Sequence, residues 1–147
     1  MLNDSGIFII EGVDVYNYYD SDYYGMSAYI FRYTNNGENF LFTLPSFYFE
    51  EILKIMSELI NSNYCLLLEK FIDAGLDFDF DFQNNDLGGW WEMPDKKLFL
   101  DNLKSINFDS TNLCFIDDEC HLELIREIHK NLVNYLDNNY QVFLHYM

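Results

Sequence analysis

The sequence predicts an α+β fold, a single domain over residues 1–147 in which an antiparallel sheet packs against amphipathic helices. Three observations carry that expectation. Apolar and polar residues alternate through the first third, apolar residues recur at helical spacing in the middle and near the C-terminus, and a short alternating run closes the sequence. Half of the 147 residues are hydrophobic, with 14 Phe, 12 Tyr and 2 Trp, so a packed core is expected even at a formal net charge of −17. A chain of this length buries roughly 70 % of its unfolded surface and needs no metal or disulfide to fold.

The N-terminal hairpin strands come first. Ile7 to Ile10 is a continuous apolar run, and Val13 and Val15 alternate with polar neighbours. From Tyr23 to Thr34, Met26, Ala28 and Ile30 fall on one face while Ser27, Tyr29, Phe31 and Tyr33 fall on the other. Asn35-Asn36-Gly37 supplies residues that tolerate positive φ, and Phe40, Phe42 and Leu44 resume the alternation, which is the signature of a hairpin. Two or three antiparallel strands are therefore expected to open the fold.

Helices follow. Pro45 ends the last strand, and Ser46 caps a helix whose Phe49, Ile52, Met56 and Leu59 share one side, with Glu50 and Lys54 paired one turn apart. Asn61-Ser62-Asn63 interrupts it, and Tyr64 to Ala74 reads as a second helix stopped by Gly75. From Asp77 to Phe82 strict alternation returns, with Asp77, Asp79 and Asp81 on one face and Phe78, Phe80 and Phe82 on the other, the pattern of a half-buried strand. After a loop-like stretch and Trp90-Trp91, Pro94 and Asp95 start a short helix through Leu98, Phe99, Leu103 and Ile106. Leu113 to Ile116 reads as a short strand.

The best-defined helix runs from about Asp118 to Asp137. At about 100° per residue Leu124, Ile125, Ile128, Leu132, Tyr135 and Leu136 cluster on one side, opposite Glu123, Arg126, Glu127, Lys130, Asn134 and Asp137. Asp117, Asp118 and Glu119 sit at its start, where the macrodipole favours negative charge. Asn138-Asn139 breaks it, and Tyr140 to Tyr146 is the closing strand.

The acidic excess is localised. Residues 1–31 hold five acids and no Lys or Arg, residues 71–95 hold seven and none, and residues 105–125 hold five and none. These seventeen acids equal the whole net charge, because the remaining residues carry eight acids and eight bases. Such windows repel nucleic acid and anionic membranes and attract a cationic surface. In the middle window Asp77, Asp79, Asp81, Asp86 and Glu92 flank Trp90 and Trp91. Carboxylates speed encounter and tryptophan supplies anchor area, so these residues, together with Asp117, Asp118 and Glu119, are the candidate partner-binding set. Strand geometry points one of two adjacent tryptophans inward and the other outward.

No catalytic residue, metal or cofactor is expected, and the chain does not read as an enzyme. DFDFDFQNND is rich in oxygen ligands, but the EF-hand pattern fails: counting from Asp77 puts Phe82 at position six and Gly88 at position twelve, and counting from Asp81 puts Asp86 at position six, although Glu92 does reach position twelve. Cys114, Cys120 and His121 lack zinc-ligand spacing, and His121 and His129 fall on or beside the apolar side of the long helix, where they pack. There is no GxSxG, no phosphate-cradling glycine loop and no HExxH. Cys65, Cys114 and Cys120 are an odd number without CxxC spacing, which fits a reducing compartment. No basic leader precedes the first apolar run, and no run reaches the roughly 18 apolar residues of a membrane span, so a cytoplasmic protein is expected.

In size, acidity and cysteine usage, and in the WWEMP segment followed by a helix and a final strand, the chain resembles the immunity proteins that protect bacteria from nuclease toxins, of the colicin and contact-dependent growth inhibition kinds. The resemblance implies a tight complex with a toxin's C-terminal domain in the cytoplasm. A nuclease must be basic to hold phosphates, so its inhibitor gains by being acidic. The alternative expectation is a nucleic-acid mimic, such as a phage anti-defence protein that occupies the DNA groove of a restriction or CRISPR enzyme. A mimic spreads carboxylates at phosphate-like intervals, whereas an inhibitor clusters them around apolar anchors, and Trp90 and Trp91 beside the acids favour the inhibitor.

Overall fold

An Asn-Gly pair organises the N-terminal part. Asn36 and Gly37 adopt φ of 52° and 79°, the two positive values a tight type I′ turn needs, and join β2 (Ala28–Asn35) to β3 (Glu38–Pro45) in register from Asn35 opposite Glu38 to Ala28 opposite Pro45. The structure, a computed structural model, describes residues 11–59, 90–93, 95–108 and 119–146. Around the hairpin stand β1 (Val13–Asn17), β4 (Trp91–Glu92) and β5 (Phe143–Tyr146), giving the order β1-β3-β2-β5-β4. Among the described residues the α-helices are α1 (Ser46–Leu59), α2 (Lys96–Lys104) and α3 (Glu119–Leu136). The fold is mixed α+β, with strands towards the N-terminus and a closing strand after the last helix, as the residue pattern predicts.

Two compact units emerge among the described residues: 11–49, 90–93 and 139–146 form one, and 50–59, 95–108 and 119–138 the other. In the first, β2 is central, and consecutive residues Ala28, Tyr29, Ile30 and Phe31 are all buried, so both faces of the strand are covered. On one face Tyr29 and Phe31 meet Phe49 of α1 edge-on, at ring separations of 5.1 and 5.2 Å, and Phe31 meets Phe42 at 6.1 Å. The other face carries a cluster of Ile30, Leu41 and Trp90 with Phe143 packed against it.

Two expectations about the opening strands are corrected. The sheet is not wholly antiparallel: β1 pairs in parallel with β3, Val13 opposite Phe40 and Asn17 opposite Thr43, while the other three pairings are antiparallel. Tyr23 to Ser27 is not strand either. Asp20 caps a 3-10 turn at Ser21–Tyr23 by accepting from the Asp22 amide, and Gly25 follows at φ 93°. The chain from Tyr18 to Ser27 thus spans the end of β3, held by the Tyr18 amide on the Thr43 carbonyl and the Ser46 amide on the Ser27 carbonyl, and β2 returns on the far side of β3.

β1 is an edge strand with a register shift at Val15 and a carboxylate at Asp14, features that blunt an edge against further pairing. Gly12 lets it approach β3, because a Cβ there would lie 2.6 Å from the Asn39 carbonyl oxygen. The Asn39 side-chain amide in turn donates to the Glu11 carbonyl at 3.0 Å.

In the second unit most of the apolar residues that helical spacing singles out are buried, with two corrections. Leu98 of α2 is 37 % exposed and Leu100 is buried instead, because the buried side of α2 centres on Phe99 and Leu103. Leu124 of α3 is only half-buried. Ile125, Ile128, Leu132, Tyr135 and Leu136 of α3 are buried, as are Phe99, Leu100 and Leu103 of α2 and Ile52, Leu53, Ile55 and Met56 of α1. The opposite side of α3, from Glu123 and Arg126 to Asn134, is exposed. The His129 ring packs against Phe108, and its Nε2 lies 2.7 Å from the Leu103 carbonyl; a carbonyl only accepts, so Nε2 carries the proton. Lys96 of α2 donates to both the backbone carbonyl (2.6 Å) and the side-chain oxygen (3.0 Å) of Asn138, placing a cation on the carbonyl end of α3. Burial lowers the Lys96 pKa from its ordinary value, and the nearby Asp137 carboxylate opposes that shift. The expected strands at 7–10, 77–82 and 113–116 and the helix at 64–74 lie outside the described residues.

Candidate partner-binding surface

Only part of the candidate set falls within the described residues. Trp90 is 8 % exposed and belongs to the core of the sheet unit. The Arg32 guanidinium lies over its ring at 4.4 Å and over Phe143 at 5.0 Å, and His145 is 5.1 Å away on the neighbouring strand. Trp91 and Glu92 form β4, the edge strand opposite β1, with Trp91 beside Leu144 and Glu92 beside Phe143. Both are half-buried. The Met93 amide donates to the Val142 carbonyl at 3.0 Å and fixes the exit of the strand. Of the two tryptophans, therefore, Trp91 is the one with surface to offer. Glu119 is the first residue of α3. Asp77, Asp79, Asp81, Asp86, Asp117 and Asp118 lie outside the described residues.

A second acidic surface lies on the sheet unit, in the first of the three acidic windows. Glu11, Asp14, Asp20 and Asp22 are all exposed. Asp20 and Asp22 frame the 3-10 turn, and the adjoining Tyr24, Met26 and Phe47 are among the exposed large apolar residues. What holds the turn is a set of buried or half-buried tyrosines. The Tyr19 hydroxyl donates to the Met26 carbonyl at 2.7 Å, the Tyr19 and Tyr24 rings pack at 5.8 Å, and Tyr23 packs on Phe47 at 5.8 Å. The Tyr23 and Tyr48 hydroxyls are 3.2 Å apart. Burial first, then this hydrogen bond, then the charges of Tyr23 and Asp20 push the Tyr48 hydroxyl well above its ordinary range, so it stays a neutral hydrogen-bonding group. The charge count singles out this window, but only the fold shows that the exposed apolar residues gather beside its acids.

Further along β2, Tyr33 lies between Phe40 and Tyr140 in a near-parallel stack, at 5.1 and 5.3 Å. Among the described residues no group of three His, Cys, Asp or Glu is arranged to hold a metal, and no helix is long and apolar enough to cross a membrane. Comparison with known proteins finds no match, whether to family models, curated proteins or solved structures.

Proposed function

We propose that this chain is an acidic binding protein that neutralises a basic partner, a cytoplasmic immunity-type inhibitor that binds a nuclease toxin domain directly and performs no chemistry itself. The observation that carries the reading is the segregation of charge. All seventeen excess acids lie in three windows without a single Lys or Arg. In the window 1–31, the described acids are exposed beside exposed aromatic side chains. Desolvated aromatic anchors within a ring of carboxylates suit a cationic protein surface: the charges steer encounter and the rings supply contact area. A nuclease presents such a surface because it must hold phosphates.

The experiment is affinity capture of the partner from a strain that carries the native locus, followed by titration of the purified partner with this protein in a nucleic-acid cleavage assay. Stoichiometric loss of cleavage is the expected result. A captured protein that is not basic, or that cleaves unimpeded when saturated, would overturn the proposal. Capture of a restriction or CRISPR enzyme, released by competing DNA, would instead support the nucleic-acid mimic.

A further inference from the structure

We infer that the turn between β1 and β2 is itself a docking surface, and that its occupant is a cationic protein segment in which Arg or Lys alternates with apolar side chains. The inference rests on the reading above and gives it a second place on the chain, separate from β4. Tyr24 and Met26 are 48 % and 50 % exposed, and Phe47, whose ring packs on that of Tyr23 in the same turn, is 37 % exposed, so folding leaves large apolar side chains in water at this turn.

Their backbone is held in place. The capped 3-10 turn, the Tyr19 hydroxyl on the Met26 carbonyl and the Tyr23–Tyr48 hydroxyl pair fix the loop from Asp20 to Met26, so little conformational entropy is lost when a partner arrives. Tyrosine is a frequent interface anchor, and methionine adapts its shape to the surface it meets.

Charge selects the occupant. Asp20 and Asp22 are exposed on the turn, and residues 11–31 contain no Lys or Arg. A phosphate-bearing ligand or an anionic membrane would meet only repulsion there, whereas a guanidinium finds the carboxylates of Asp20 and Asp22 and the exposed parts of the Tyr24 and Phe47 rings to pack on. An apolar residue between two cations then has Met26 to pack against. An uncharged hydrophobic segment would gain the same apolar contact while leaving the two carboxylates desolvated and unanswered, which costs free energy.

The test uses the full chain and a defined probe: a fluorescein-labelled peptide of alternating arginine and leucine, with a control in which serine replaces arginine. Amide chemical shifts recorded during titration should move first for Tyr23, Tyr24, Gly25 and Met26, and the serine peptide should leave them in place. Tyr24→Ala with Met26→Ala should weaken binding by about tenfold or more, and Asp22→Asn should slow association, with the far-UV spectrum unchanged because these side chains are exposed. If the arginine peptide binds but its shifts map to Trp91 and Glu92, and the Tyr24→Ala, Met26→Ala double variant binds as before, the inference is wrong while the proposed function stands. Absence of binding at low ionic strength, where attraction to a chain of net charge −17 is strongest, would count against both.

Discussion

Replacing Trp90 by alanine should be among the most costly single changes in the sheet unit, and replacing its neighbour Trp91 should cost little. Trp90 packs in the cluster with Ile30 and Leu41, against Phe143, and under the Arg32 guanidinium at 4.4 Å. An aromatic side chain buries about 150–250 Å², worth roughly 4–6 kcal/mol at about 25 cal/mol per Å². Alanine recovers a little of that and the surrounding side chains relax, so truncations of this kind cost about 3–5 kcal/mol. Loss of the cation–π contact adds about 0.5–2 kcal/mol, since Arg32 is half-buried and keeps its charge. The expected total is about 5 kcal/mol, a large share of the roughly 5–15 kcal/mol that stabilises a domain. Trp91→Ala, on a two-residue edge strand and half-buried, should cost about 1 kcal/mol. Urea unfolding followed by far-UV circular dichroism, at a common m-value, measures both. A Trp90→Ala loss below about 1.5 kcal/mol, or a larger loss for Trp91→Ala, would refute the placement of Trp90 in the core.

Gly12→Ala would bring a Cβ to 2.6 Å from the Asn39 carbonyl, so β1 must move off β3; a loss of about 1–2 kcal/mol in urea unfolding should be accompanied by faster amide exchange in β1. Tyr48 gives a pH dependence. Its hydroxyl pKa is raised on folding, so the folded chain keeps a proton that the unfolded chain releases above the ordinary value of 10.0, and the stabilisation is complete below that pH and is lost as pH rises beyond it. Tyr48→Phe should therefore unfold less steeply with pH above about 10 than the parent, as thermal melts in alkaline buffers would show; identical slopes would contradict the assignment. Lys96→Met should remove the cation from the carbonyl end of α3 and lower stability by about 1 kcal/mol, read as a shift in the urea midpoint, while a rise in stability would mean that the burial of the charge outweighs its two hydrogen bonds.

What the sequence discloses follows the strength of its periodic signals. Eighteen residues of 3.6-fold periodicity define α3, observed at Glu119–Leu136 against an expectation of about 118–137, and a chemically specific pair, Asn36-Gly37, places the hairpin turn. Parallel pairing of β1 with β3 is invisible to alternation, because a strand shows the same period whichever neighbour it chooses and whichever way that neighbour runs. Alternation also carried the expected β2 too far towards its N-terminus. Tyr23 and Met26 keep the two-residue rhythm, yet the Asp20 cap and Gly25 bend the backbone into a turn, so local side-chain chemistry overrides the pattern. The candidate surface was legible as charge and not as shape. Composition identifies the acidic windows, whereas the gathering of Tyr24, Met26 and Phe47 beside Asp20 and Asp22 brings together residues more than twenty positions apart, which no local reading supplies.

The central claim, electrostatically steered binding of a basic toxin domain, is tested most directly by measuring association and dissociation rate constants with the captured partner across a range of ionic strength. Exposed carboxylates act chiefly on encounter and are screened over about 8 Å at physiological salt. Raising salt should therefore slow association far more than it speeds dissociation, and reversing Asp77, Asp79 and Asp81 to Lys in a chain that still folds should reproduce that slowing. Trp91→Ala should act on dissociation instead, weakening the complex by about 2 kcal/mol if it anchors there. An association rate independent of salt and unchanged in the triple-Lys variant would contradict the account.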